Sequence, residues 1–390
     1  MITLIIFLLV LSLLVVVHEW GHFIIAKKSG MKVYEFGLGF PPRAFGVYKD
    51  STTNKWIFVW GKGKSSVKDA FAQSTGDISY PSTLYSINWL PLGGFVKIKG
   101  ENGENSKDSD SFGYHPFYKK AGVLVAGVTM NIMLAAVLLS IGFTIGIPSD
   151  ITGVKQFTDG AYISEGPWVT VQQVQPDSSA AENQLTFSDR LVGLNNQPIV
   201  DSAAFIDFVK NTPDKFISLD IEHEGKITQK IFALDGNPGD SARLGAAISD
   251  VAIIKYPWYM AIIKGIMAAI SGLIAIYVAF FVLIKQLILG NGLAFEVSGP
   301  VGIASIVGQS AKMGIQYLVQ VTAMISLSLA AINILPIPAL DGGRLVFVLI
   351  EKITKKPVPL KYEQIAHTVG FLALMTLIII VTWRDIANLI

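Results

Sequence analysis

The sequence predicts a polytopic α-helical membrane protein of about four transmembrane helices, with an α+β domain inserted on the extracytoplasmic side and a β-hairpin in a cytoplasmic loop. Three observations predict this. Of 390 residues, 51% are hydrophobic and only 15% charged, a balance that soluble globular domains rarely have. Several apolar runs reach the roughly 20 residues a bilayer crossing takes. Lysine pairs stand at the ends of these runs, as in loops that stay in the cytoplasm.

Composition also excludes several classes. A net charge of +2, with no Lys/Arg cluster interleaved with aromatics, argues against a nucleic-acid partner. With no Cys there can be no disulfide and no thiolate ligand, so any metal must be held by His and carboxylate.

The first span, residues 1–28, is apolar from Ile2 to Ala26 and stops at Lys27-Lys28. No Lys or Arg precedes Lys27 and no small-residue cleavage pattern follows, so it reads as a retained helix rather than a signal peptide. The lysines place its C-terminal end in the cytoplasm. Just before them stands His18-Glu19-Trp20-Gly21-His22. Imidazoles four positions apart share one helix face, where a zinc ion can take both with the intervening Glu as general base. At helical rise His22 lies roughly 7 Å and His18 roughly 13 Å inside the boundary. Ionisable groups at that depth are expensive and point to function. The bland alternative is a pair of helix-packing histidines without metal.

Residues 29–120 form a polar cytoplasmic loop with strand-like patches at Lys55–Trp60 and Gly94–Lys99. Around 80–99, aromatic, apolar and polar residues alternate about a Pro-Leu-Gly-Gly turn, with Gly93 and Gly94 supplying unusual dihedrals. This hairpin is either an ordinary loop or an edge strand near the histidines, able to pair with an extended substrate. The second span, 121–147, follows Lys119-Lys120 and emerges outside.

Residues 151–250 turn strand-rich and carry no long apolar stretch, enough for one small core. Strands are predicted at Val171–Val174, Arg190–Leu194 and Phe216–Glu222, and short helices at Ser179–Gln184 and Ala203–Lys210. Ser188–Asn195 resembles the "GD-x-I-x-x-(V/I)-N-G" segment of bacterial PDZ domains, with Ser188 where Gly is usual. Pro176–Ala181 resembles the motif that precedes it.

Beyond this domain lie a membrane-associated region, 257–312, a third span, 315–350, and a fourth, 363–384. If the loops holding Lys27-Lys28, Lys119-Lys120 and Lys352–Lys361 all face the cytoplasm, Pro257–Leu289 begins and ends outside. It then lies in the interface or re-enters rather than crossing.

Two His leave a catalytic zinc one protein ligand short. Asp341 is the candidate: it lies near the cytoplasmic end of a span interrupted by Pro336 and Pro338, with Gly342-Gly343 after it. Irregular backbone at that depth is tolerated only in a polar cavity or buried in protein. Asn333 in the same segment reads equally as a partner for a ligand, for substrate backbone or for another helix. His115 and His223 read as solvated surface residues, and His367 as interfacial.

These residues resemble the site-2 protease family of intramembrane zinc metalloproteases, in particular its bacterial RseP group with an external PDZ domain. HEWGH at 18–22 matches the family's HExxH, and Asn333–Gly343 matches "N-x-x-P-x-P-x-L-D-G-G". Gly37–Pro41, Pro91–Lys97 and Ser298–Ala304 match its "G-F-G-P", "P-L-G-G-Y-V-K" and "S-G-P-V-G-I-A". The chain departs in having one PDZ-like domain, in a longer stretch at 44–78, and in Val128 where "A-G-P-x-x-N" has Pro, although Asn131 is kept.

The resemblance implies a zinc metalloendopeptidase with Zn2+ held by His18, His22 and Asp341 and with Glu19 as catalytic base. It implies that Asn333, Gly93 and Gly94 bind substrate, and that Tyr80–Lys99 is a membrane re-entrant β-loop. It further implies a multi-pass protein of the bacterial inner membrane that cleaves single-span proteins, such as anti-sigma factors or remnant signal peptides. The rivals are a proteolytically silent PDZ scaffold, in which the full donor set has no role, and a zinc transporter, in which Glu19 has none.

Overall fold

Helix α1 (Ile2–Lys28) is about 40 Å long at helical rise, more than the ~30 Å of hydrocarbon it must cross. It stops where Gly30 adopts φ +85°. The Gly30 amide bonds the Lys27 carbonyl at 3.1 Å and the Met31 amide bonds that of Ala26 at 3.0 Å, the paired bonds of a Schellman stop. The computed structural model describes residues 2–51, 53–61, 80–103, 105–153, 160–175, 178–223, 225–236, 244–290 and 298–387. Pro176 and Asp177 of the PDZ-like motif, and residues 62–78 of the long loop, lie outside them.

Three strands follow, β1 (Val33–Lys49), β2 (Trp56–Trp60) and β3 (Leu84–Ile98), in the order β2-β1-β3. β1 and β3 are each long enough to double back. Gly37 pairs with both Ser86 and Phe95, and Leu38 with both Ile87 and Gly94. The 33–38 arm is therefore flanked on both sides, whereas 94–98 pairs, among the described residues, only with 33–38. That edge starts at Gly93, whose φ is +76°, and lies against α1. A Cβ added at Gly94 would stand 3.7 Å from Glu19 Cγ, and one at Gly93 3.6 Å from Val15 Cγ1. Phe23, Val33, Phe36, Ile98, Val123 and Val348 share one buried cluster, so apolar burial locks this sheet to the helices.

Helix α2 (Phe117–Ile145) leads into the β domain. Its strands are β4 (Ile147–Asp150), β5 (Tyr162–Val174), β6 (Arg190–Leu194), β7 (Gln197–Pro198), β8 (Phe216–His223), β9 (Lys226–Ala233) and β10 (Ala246–Lys255). They order as β4-β10-β5-β6-β8-β9, with β7 on β6. Two short helices, α3 (Ser179–Glu182) and α4 (Ser202–Asn211), start at Ser178 and Asp201, whose side chains accept from the Ala181 and Ala204 amides as N-caps do. Val171, Leu191, Phe205, Leu219 and Phe232 form the core. Ser188, at the usual Gly position, sits at φ +76°, which explains why glycine suits that place.

The remaining helices are α5 (Trp258–Ile288), α6 (Pro300–Met313), α7 (Ile315–Asn333), α8 (Asp341–Thr354) and α9 (Leu360–Ala387). Helices α1, α2, α5, α7 and α9 are long and apolar enough to cross a membrane by length and composition. That is one more than the four spans expected. The addition is α5, whose mean hydropathy of 2.6 matches that of α1 at 2.7. The chain is thus a polytopic membrane protein carrying a β domain. The expected single span 315–350 is two helices, because Pro336 and Pro338 disfavour helical backbone at Leu335 and Ile337 and remove two donors. By contact the chain divides into two compact units, 1–138 with 267–311 and 321–390, and 139–266 with 312–320. All groups of the site below belong to the first.

Candidate metal centre

His18 and His22 lie one turn apart on α1, both buried, with ring centroids 4.8 Å apart at 79°. Their Nε2 atoms are 3.1 Å from each other. Asp341, the first residue of α8, reaches them from the far end of the chain: its Oδ2 lies 3.0 Å from His18 Nε2 and 3.3 Å from His22 Nε2. Among the described residues these three form the one cluster of His, Cys, Asp or Glu able to hold a metal ion. Three donors on a tetrahedral ion with bonds of about 2.0–2.1 Å stand about 3.3 Å apart, so the triangle has the right size for zinc.

The outer nitrogens settle which way the rings face. His22 Nδ1 donates to the Val123 carbonyl at 2.8 Å, which leaves the Nε2 lone pair for the centre. His18 Nδ1 faces the Asn131 amide nitrogen at 3.4 Å, while the amide oxygen of this fully buried residue has no partner. The oxygen and nitrogen of an amide occupy nearly the same space, so the group can turn over in place. Exchanging them lets the Asn131 oxygen accept from His18 Nδ1–H and turns the second Nε2 lone pair inward as well. Ser326 on α7 donates to the Asn131 carbonyl at 2.8 Å, which fixes the α2 backbone there. Neither Asn131 nor Val123 was a predicted site residue. The "A-G-x-x-x-N" spacing flagged Asn131 without saying what it touches.

Helix α2 comes this close because of Gly127. A Cβ there would stand 2.5 Å from His22 Nε2 and 2.7 Å from His18 Cε1, so any side chain displaces the rings.

A cavity of about 220 Å³ opens beside two of the three donors, His18 and Asp341. Its polar lining is His18, Glu19, Asn131, Asn333 and Asp341, and Val15, Leu329, Ala339 and Leu340 make its apolar wall. Glu19 and Asn333 thus face one space with those two donors. Gly93 and Gly94 do not line this cavity but lie against α1 at the sheet edge, Gly93 beside Val15 and Gly94 beside Glu19. The other three histidines stay apart from the centre. His115 is half-buried, with an Nε2 that has no hydrogen-bond partner, and burial pushes its ring below the ordinary histidine pKa. His223 is exposed and its Nδ1 lies 2.5 Å from Asp189 Oδ1. His367, expected at the interface, accepts a bond from the loop before Asp341.

Two ion pairs brace α8. Arg344 pairs with Glu101, just past the end of β3, and buried Lys120 on α2 pairs with Glu351 at 3.1 Å. One holds each end of the helix that presents Asp341.

The comparisons with known proteins agree with this chemistry. The zinc metalloprotease RasP of Oceanobacillus iheyensis is 28% identical over 444 residues, covering the whole of both chains. The regulator of sigma-W protease RasP of Bacillus subtilis is 26% identical over 441 residues, 99% of each. A Clostridium perfringens protein is 30% identical over 383 residues, 97% of each. The profile of peptidase family M50 matches residues 6–75 and 71–377, a span that takes in HEWGH and the segment ending in Asp341; the chain belongs to that family, the site-2 proteases, and is a zinc metalloprotease.

Proposed function

We propose that this enzyme hydrolyses peptide bonds within or next to the transmembrane segments of single-span proteins, with zinc held by His18, His22 and Asp341. The observation that carries the reading is the 3.0–3.3 Å triangle of donors formed by an apolar span and a second segment 323 positions away. Bound there, zinc supplies a Lewis acid and acidifies water. Glu19, in the same cavity, takes the proton of the attacking water and delivers it to the leaving amine.

A helical substrate hides its carbonyls, so it must unwind to be cut. The open edge at 94–98 runs past Glu19 and can pair with the unwound strand, sparing it unpaired backbone groups in lipid. Asn333, which lines the same cavity as Glu19, supplies a further amide to that backbone. The β domain, PDZ-like by its motif, stands outside the cytoplasm, the donor triangle lies near the cytoplasmic face of a bacterial plasma membrane, and 80–99 re-enters from that side. One relative is named as a regulator of a sigma factor, which supports anti-sigma factors, with remnant signal peptides, as the substrate class.

The test is cleavage of a single-span anti-sigma substrate by purified enzyme in bilayer nanodiscs. Glu19→Gln should slow it about 10²–10⁴-fold, the range of a lost general base, with zinc content unchanged. Undiminished cleavage by this variant would overturn the mechanism.

A further inference from the structure

We infer that His367 is a positioning residue for Asp341, acting through the backbone of the loop that precedes it. This rests on the metal-site reading above. The loop at 334–340 has five amide N–H groups, because Pro336 and Pro338 have none. Four bond to carbonyls of the loop or of the last turn of α7: Ile334 to Ala330, Leu335 to Ile332, Ile337 to Leu335 and Leu340 to Ile337. The fifth, on Ala339, leaves the segment and donates to His367 Nδ1 on α9 at 2.8 Å. Ala339 stands two residues before Asp341 at φ +80°, a left-handed conformation that residues with a Cβ rarely adopt. Such a turn persists only where its surroundings hold it.

The surroundings are those of α9. Gly370, one turn beyond His367 on α9, lies against the loop, where an added Cβ would stand 2.7 Å from Pro338 Cβ. The His367 ring also lies 5.6 Å from that of Phe347 on α8. It therefore touches the chain on both sides of Asp341 and makes a hydrogen bond on only one of them. Because Nδ1 accepts, the ring proton is on Nε2, which makes no hydrogen bond and stands 3.9 Å from Glu363 Oε1. His367 is not among the residues that line the cavity. Its nitrogen sets the direction of the turn that aims the Asp341 carboxylate at the two imidazoles.

Two substitutions separate the hydrogen bond from the packing. His367→Asn keeps an acceptor at the Nδ1 position and loses the ring; His367→Phe keeps a ring against Phe347 and loses the acceptor. The readout is Co2+ affinity of the metal-stripped full chain in detergent, followed by visible absorption of the bound ion. Wild type should saturate with one Co2+, and failure to do so would sink the metal-site reading itself. The Phe variant should bind about tenfold or more weakly, as when an outer partner of a metal site is lost, and the Asn variant should stay within about threefold of wild type. The inference is overturned if the Phe variant binds like wild type, or if the Asn variant is as weak as the Phe variant. Should the Phe variant fail to fold, the Asn variant decides alone: near-wild-type affinity upholds the assignment and a tenfold loss removes it.

Discussion

His18 Nε2 and Asp341 Oδ2 stand 3.0 Å apart although 323 positions separate them. Three unprotonated donors this close repel one another unless a cation or protons sit between them, and the buried setting sharpens that repulsion. Asp341→Asn keeps the shape and removes the charge. We expect it to lose stoichiometric zinc, read by metal analysis of the purified protein, while Glu19→Gln retains it. Equal zinc in the two variants would show that the carboxylate is not a ligand.

Asn131 is buried with its side-chain amide 3.4 Å from His18 Nδ1, and its amide oxygen is free to take that place as acceptor. Replacing it by Leu removes the acceptor for His18 Nδ1–H and frees the ring to turn. Zinc affinity should fall about 10–100-fold, the usual effect of losing such a partner, with Asn131→Asp retaining more of it than Leu. Competition with a chelating dye measures both. Indistinguishable affinities for wild type and Asn131→Leu would remove Asn131 from the site.

The edge arm 94–98 offers a test by proline. Successive residues of a strand direct their N–H groups to opposite sides, so of Phe95→Pro and Val96→Pro one breaks a bond to the 33–38 arm and the other only strips a donor from the open edge. One variant should lose thermal stability. Its neighbour should fold with a normal melting temperature yet show KM for the single-span substrate raised several-fold. Two variants of normal stability and normal KM would exclude this edge as the docking strand.

Because the chain has no Cys, single cysteines report topology without background. A cysteine at Lys356 should react with a membrane-impermeant maleimide only after the cytoplasmic side is opened, and one at Asn211 should react from outside. Positions Ile274 and Phe281 on α5, both exposed in the structure, distinguish a helix in the interface from a fifth crossing. A crossing α5 would put the Lys352–Lys361 loop on the outer side, so protection of both positions together with reaction of the Lys356 cysteine from outside would establish five spans.

Local chemistry was legible in the residues. The pairing of His18 with His22 follows from helical period, the break after Asn333 follows from two prolines, and the strand Arg190–Leu194 stands at the bounds its pattern implied. Asp341 could be named as the third donor, but the contacts that hold the three donors in place stayed hidden, because they depend on which surfaces meet. Asn131 was noted without a role because nothing in α2 alone says it meets His18. His367 read as interfacial because its partner, the Ala339 amide, is backbone and leaves no mark on composition. For α5, hydropathy and the parity of the lysine loops point different ways, and hydropathy measures only what a helix can do.

By itself, then, the order of amino acids determined which segments are apolar helices, which helix face carries two imidazoles, and where the last third of the chain must bend. Those outcomes depend on neighbours within a few residues, through backbone period, side-chain volume and the missing amide of proline. Tertiary structure alone decided that the bend delivers a carboxylate to the imidazoles and that one strand arm lies open beside Glu19. The first rests on close approaches at Gly127 and Gly370 and the second on that of Gly94 to α1, and close packing between distant segments has no period for a sequence to display.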